Sequence, residues 1–187
     1  MSVRQRLGLV AALVLRALLF AAIVAVLTAS PDDARFAGKG IAPRTVVIFL
    51  ASLLVPAAWL IRGPREPYPC WIDALWVSVF VVDLGGNVLD LYNRYQYFDL
   101  VPHGHGTGAA TVVAAWLWRL PLLSALGVAT AGHVLLEAQE YYSDVLFGLQ
   151  NVRGTWDVVN DLVVGIVGSL LYGTVYRRLR TRRPGED

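Results

Sequence analysis

The three histidines of this chain, His103, His105 and His133, share the stretch from Asp83 to Asp161 with a set of carboxylates, on or beside segments that are otherwise strongly apolar. An ionisable side chain near the centre of a bilayer costs about 2.5–3.5 kcal/mol on insertion scales unless it is paired or hydrated, so such a cluster marks a functional site by expectation. Imidazole mixed with carboxylate suits zinc, manganese or iron. The candidate metal ligands are His103, Glu137, Glu140 and Asp161, with Asp83, Asn87, Asp90, His133 and Asp157 as candidate ligand-binding residues around them. A divalent transition metal held there could activate water or polarise a phosphoryl or carbonyl oxygen of a lipid or lipid-linked substrate. The spacing matches neither the His-Glu-x-x-His pair of zincins nor the Glu-x-x-His pairs of di-iron bundles. Two other readings stand beside the enzyme: a proton- or ion-coupled transporter, and a buried polar network that fixes helix register or orders a binding surface.

The elements that must position these residues follow from hydropathy. Of the 187 residues 56% are hydrophobic and 16% charged, and the mean hydropathy is +0.54. Average soluble domains carry roughly 25% charged residues, so the composition places this chain in a membrane. Six spans are predicted, Leu7 to Leu27, Thr45 to Ile61, Trp71 to Tyr92, Asp99 to Leu120, Leu122 to Tyr142 and Trp156 to Tyr176, forming an all-α polytopic bundle in a single integral membrane domain over 1–187, with a short basic tail over 177–187. The first run is too long for the apolar core of a signal peptide and reads as a retained span. The second carries Pro56, which disturbs a helix interior. The single cysteine, Cys70, excludes an intrachain disulfide. No basic stripe with interleaved aromatics suggests a nucleic-acid surface, so membrane lipids and a polar or lipid-linked small molecule are the expected partners.

Orientation follows from Lys and Arg placement. Arg4, Arg6, Arg62, Arg65, Arg119, Arg177, Arg178, Arg180, Arg182 and Arg183 fall on one side, and Arg35, Lys39, Arg44, Arg94 and Arg153 on the other. The positive-inside rule then puts both termini in the cytoplasm. Trp59, Trp71, Trp116 and Trp118 fall at the inner interface, and Tyr92, Tyr95, Tyr97, Tyr141, Tyr142 and Trp156 at the outer one. With this topology the third span presents Asp83, Asn87 and Asp90 at i, i+4 and i+7, and the fifth presents His133, Glu137 and Glu140 at the same spacing. The fourth and sixth spans begin at the outer side with Asp99, His103 and His105, and with Asp157, Asn160 and Asp161. The four sets converge on the outer half of the bilayer, and the inner halves are nearly all apolar.

Simpler roles compete for several of these residues. Asp99 and Asp157 stand where helix caps and first-turn acids are favoured, Pro102 suits a first turn, and Asn93 and Asp144 read as interfacial turn residues. His103 and His105, two residues apart, cannot face one point on a regular helix. Gly104, Gly106 and Gly108, like Gly165, Gly168 and Gly173, suit close helix packing. Arg16, near the middle of the first span, either snorkels inward or neutralises a carboxylate of the cluster such as Asp83 or Glu137.

Three segments carry a resemblance: Phe98-Asp99-Leu100-Val101-Pro102-His103-Gly104, Glu137-Ala138-Gln139-Glu140, and Gly154-Thr155-Trp156-Asp157-Val158-Val159-Asn160-Asp161 followed by Gly165. In this order they resemble the YjdF-like family of bacterial inner-membrane proteins, with a looser similarity to VanZ-like membrane proteins. The likeness covers roughly the C-terminal half. His105 and His133 are extra to the family's pattern, and Gln150, Asn151, Val152 and Arg153 replace its acidic turn. The resemblance implies a multi-pass protein of the bacterial inner membrane and marks the same polar residues, but implies no substrate.

Overall fold

The computed structural model describes residues 1–30, 32–63 and 66–181, and the described elements are all helical. Five stretches are long and apolar enough to cross a membrane. These are α1 (Val3–Leu27), the broken pair α2 (Ile41–Ser52) and α3 (Leu54–Ile61), α4 (Cys70–Val88), α7 (Leu122–Phe147) and α8 (Thr155–Thr181). A short α5 (Leu91–Arg94) and the 18-residue α6 (Leu100–Leu117) complete the chain. Large apolar side chains such as Phe20, Val47, Leu135 and Leu171 are exposed along α1, α2, α7 and α8, as lipid-facing surfaces require.

α6 accounts for the difference between five apolar spans and the six expected. At about 1.5 Å per residue its 18 residues rise roughly 27 Å, close to the thickness of the hydrocarbon core. It packs on α4, α7 and α8 together, and Gly104, Thr107, Gly108, Ala109 and Thr111 to Ala115 are buried. A helix enclosed by other helices has little lipid to face, so small and hydroxyl-bearing residues take the place of leucine. The tightest pairings are α6 with α8 and α1 with α4, and contact between α4 and α6 joins the two pairs.

Glycine sets the closeness of the α6–α8 pair. A Cβ on Gly168 would strike the Gly104 carbonyl, and one on Gly108 would meet Tyr172 and the Gly168 carbonyl. The packing role expected for Gly104, Gly108, Gly165 and Gly168 is therefore what the structure shows.

The chain runs up and down, so the beginning of α1 and the end of α8 lie at one end of the bundle. There Trp71 Nε1 donates to the Arg4 carbonyl, Arg62 stacks on Trp116, and Leu122 lies against Thr174, Arg177 and Arg178. At the opposite end Arg35 Nη1 donates to the Val88 carbonyl, the Gln150 amide to Gly38, and Arg153 to the Gln96 and Tyr92 carbonyls. Of the cations used to orient the chain, Arg65, Arg182 and Arg183 lie outside the described residues, as does the tail beyond residue 181.

Two element boundaries correct the sequence reading. The second span breaks at Leu53, whose amide bonds to Leu50 in a tighter turn, because Pro56 lacks the N–H that would reach the Ser52 carbonyl. The helix of the third span, α4, ends at Val88, and Asp90 takes the left-handed backbone conformation at φ 62°. Asp90 therefore leaves the helical face of Asp83 and Asn87, and its carboxylate instead accepts from Asn93 and pairs with Arg94.

Candidate metal centre

At the end of the bundle away from the chain termini, α6 and α7 bring together His103, His133 and Glu137. His133 and Glu137 lie one turn apart on α7, and both are buried, as is His103 on the facing side of α6. His103 Nδ1 stands 2.8 Å from His133 Nε2, and Glu137 Oε1 is 3.3 Å from the first and 3.2 Å from the second.

Which ring nitrogens carry protons follows from their outer neighbours. Thr107 Oγ1 donates its hydrogen to the His103 carbonyl at 2.8 Å, so in its 3.0 Å contact with His133 Nδ1 the hydroxyl accepts. His133 thus holds its proton on Nδ1 and turns the Nε2 lone pair inward. His103 Nε2 faces Asp99 Oδ1 at 3.5 Å, while its Nδ1 faces the triangle. Glu137 Oε1 is buried and has no hydrogen-bond partner. The 2.8 Å contact between the ring nitrogens is a hydrogen bond when one of them carries a proton, and the three atoms together could receive a cation in its place.

The triangle has the dimensions of a metal face. With bonds of about 2.0–2.1 Å, neighbouring ligand atoms lie roughly 2.8–3.0 Å apart around an octahedral ion and roughly 3.3–3.4 Å around a tetrahedral one. The observed edges of 2.8, 3.2 and 3.3 Å match that range. Two imidazoles and one carboxylate on one face are the donor set of the facial triad that holds iron, and also suit zinc or manganese. Gly165 makes room for the arrangement, since a Cβ there would strike the His133 ring and Thr107.

The other sequence candidates divide by position. Asp161 is buried, with Oδ1 unpartnered, and groups with Asp99 and His103. Glu140 is buried one turn beyond Glu137, but Arg44 from α2 claims it at 2.5 Å, so it stands beside the triangle. Asp83 accepts from Tyr92 at 2.7 Å, and Asn87 accepts from Lys39 at 3.3 Å. Asp157 accepts from the Arg153 amide at the start of α8, the capping role weighed for it, and Asp144 holds the Asn151 and Val152 amides as a turn residue. His105 points away from His103 and joins three helices through Ser78 on α4 and Tyr172 on α8.

Comparison with protein-family models, curated proteins and solved structures finds no match. The site is therefore read from its own geometry.

The structure decides two residues for which competing roles are weighed above. Asp99 makes no side-chain cap to α6 and faces His103 one turn on, a pairing visible in the i, i+4 spacing. Arg16 does not reach the cluster. It forms a two-pronged pair with Asp73 at 2.6 and 2.8 Å towards the end of the bundle that holds the chain termini, where the Asp73 side chain is 1% exposed. Asp73, Arg44 and Thr107 were not among the candidate residues. The polarity of Asp73 inside an apolar run was the available signal for the first, whereas Arg44 and Thr107 are recognisable only once α2 and α7 are packed.

Lys39, Asn93, Gln150 and Arg153, with Ala34, Ala37 and Val152, line a recess of about 470 Å³ at the same end of the bundle. Burial pushes the Lys39 ammonium below the ordinary lysine pKa, opposed by the charge of Asp90.

Proposed function

We propose that this protein is a metal-binding protein of the bacterial inner membrane, with both termini cytoplasmic and its centre in the outer half of the bilayer. His103 Nδ1, His133 Nε2 and Glu137 Oε1 bind a divalent transition metal, zinc, manganese or iron. The observation that carries the reading is the triangle itself. Both imidazoles turn their outer nitrogens to oxygen atoms, Asp99 and Thr107, and their inner nitrogens to an unpartnered carboxylate oxygen.

Three protein ligands leave coordination positions open, as catalytic centres do and closed structural sites do not. A metal there supplies a Lewis acid for a phosphoryl or carbonyl oxygen, or a water ionised near neutral pH. The neighbouring recess, lined by Lys39 and Arg153, suits an anionic group, so a lipid or lipid-linked substrate with a phosphate or carboxylate headgroup is the substrate class of this reading. Below the triangle the polar chain continues through Thr107 to Thr111 and Ser169, then gives way to Ala114, Ala115 and Ala125. That one-sided layout favours a site over a transport path. Of the three triangle residues, His103 and Glu137 also carry the resemblance to the YjdF-like family, whereas His133 is extra to its pattern, and membership of that family is part of the proposal.

Elemental analysis of protein purified without chelator tests the reading. A transition metal present in the wild type and lost in His103→Ala and Glu137→Ala is expected; well-folded wild type that retains none after loading with zinc, manganese and iron would refute it.

A further inference from the structure

The triangle uses one ring nitrogen of His103, and a second donor group stands on the other. Asp99, His103 and Asp161 place one ligand atom each within 4.8 Å of one another, and His103 Nε2 lies 3.5 Å from Asp99 Oδ1. Asp161 is 3% exposed, and its Oδ1 has no hydrogen-bond partner. A carboxyl so deeply enclosed takes a donor, a cation or a proton, and its unpartnered oxygen beside Asp99 and His103 is open to a cation.

Charge points the same way. Asp99, Glu137, Glu140 and Asp161 surround the two imidazoles, and Arg44 offsets Glu140. One divalent ion at the triangle is nearest Glu137. Asp99 and Asp161 then remain grouped with His103, Asp99 on its Nε2 side.

We infer that His103 bridges two divalent cations, the second bound at Nε2 by Asp99 and Asp161. The ion takes the place of the Nε2 proton, which leaves to solvent. Bonds of about 2.0–2.1 Å on either side of the ring put the ions roughly 6 Å apart. The second subsite has two carboxylates to one imidazole, a harder donor set than the triangle, and so suits manganese, magnesium or zinc. It also supplies a second positive charge on which an anionic headgroup could seat. The inference rests on the reading of the triangle as a metal centre.

The test is metal counting on the full chain in detergent, stripped with chelator, loaded with zinc(II) and desalted. Two ions per chain are expected in the wild type, and one in Asp161→Asn. Asp99→Asn, also expected to hold one, serves if Asp161→Asn is not monodisperse. One ion per chain in both wild type and variants overturns the second subsite and leaves the first standing. No ion in the wild type overturns both. Copper(II) loading locates the second ion: coupling through a shared ring should suppress the isolated-ion EPR signal, which returns in Asp161→Asn. Two ions per chain with uncoupled signals would place the second elsewhere and overturn the inference.

Discussion

At the residue scale, the account turns on how each histidine is held. Thr107 fixes the proton of His133 on Nδ1, so Thr107→Val removes a partner that orients the ligand without removing the ligand. Loss of such an outer partner typically weakens metal affinity about 10–100-fold, and a competition titration against a chromophoric chelator should show that loss with the fold intact. His105 makes the opposite prediction. It is bonded on both nitrogens, to Ser78 and Tyr172 and away from the triangle, so His105→Phe should lower the melting temperature and leave metal content unchanged. Arg16 and Asp73 are asymmetric, with side chains 28% and 1% exposed. Arg16→Met strands a buried carboxylate and should cost about 3–5 kcal/mol, whereas Asp73→Asn leaves a cation that can reach water and should cost less. Equal losses in thermal or denaturant unfolding would contradict that ordering. His103, Glu137 and Asp161 were legible from sequence because polar residues at helical spacing stand out in an apolar chain. Asp99 was obscured by the commoner role of an acid at a helix start, and Asp73 by its distance from the cluster.

At the element scale, the α6–α8 crossing sets the position of everything else. Gly168→Val would drive a side chain into the Gly104 backbone, which has no rotamer to yield. Overpacking of this kind costs typically about 1–3 kcal/mol, and here it should also part Asp161 from His103. The expected result is a lower melting temperature together with reduced metal retention. By contrast, Gly127 and Gly132 meet nothing within 4 Å, and alanine at either should lower neither property. The loop after α1 offers a pH measurement. The Arg35 guanidinium hydrogen-bonds Asp33 and holds its carboxyl at about 2 instead of 3.8. Its folded value is depressed, so the stabilisation is complete above the ordinary aspartate range and is lost as pH falls through about 2. Carboxyl NMR should find that midpoint, moving up in Arg35→Ala. Helix positions were read well from hydropathy, with two exceptions. The break at Leu53 and the left-handed turn at Asp90 depend on backbone geometry that apolar periodicity does not encode.

At the scale of the whole molecule, the fold keeps its polar groups off the lipid by building a wall of apolar helices around α6. The most enclosed helix packs on α4, α7 and α8 together, which explains how a segment rich in glycine, alanine, threonine and histidine lies within a membrane bundle. Overall architecture was legible in composition and span length. The meeting of α2 with α7 through Arg44 and Glu140 was not, because tertiary contacts between distant spans leave no periodic trace. Orientation is open to direct measurement. In a chain with Cys70 replaced by serine, a cysteine at Asn93 should react with an impermeant thiol reagent in intact cells, and one at Arg4 only after permeabilisation; the reverse pattern would invert the topology. The central claim, that two imidazoles and a carboxylate hold a transition metal inside this bundle, is tested most directly by X-ray absorption on zinc-loaded protein. The account predicts two imidazole nitrogens at about 2.0–2.1 Å with oxygen completing the shell, and a lost imidazole contribution in His133→Ala. A shell of oxygen alone, or a spectrum unchanged by that substitution, would contradict it.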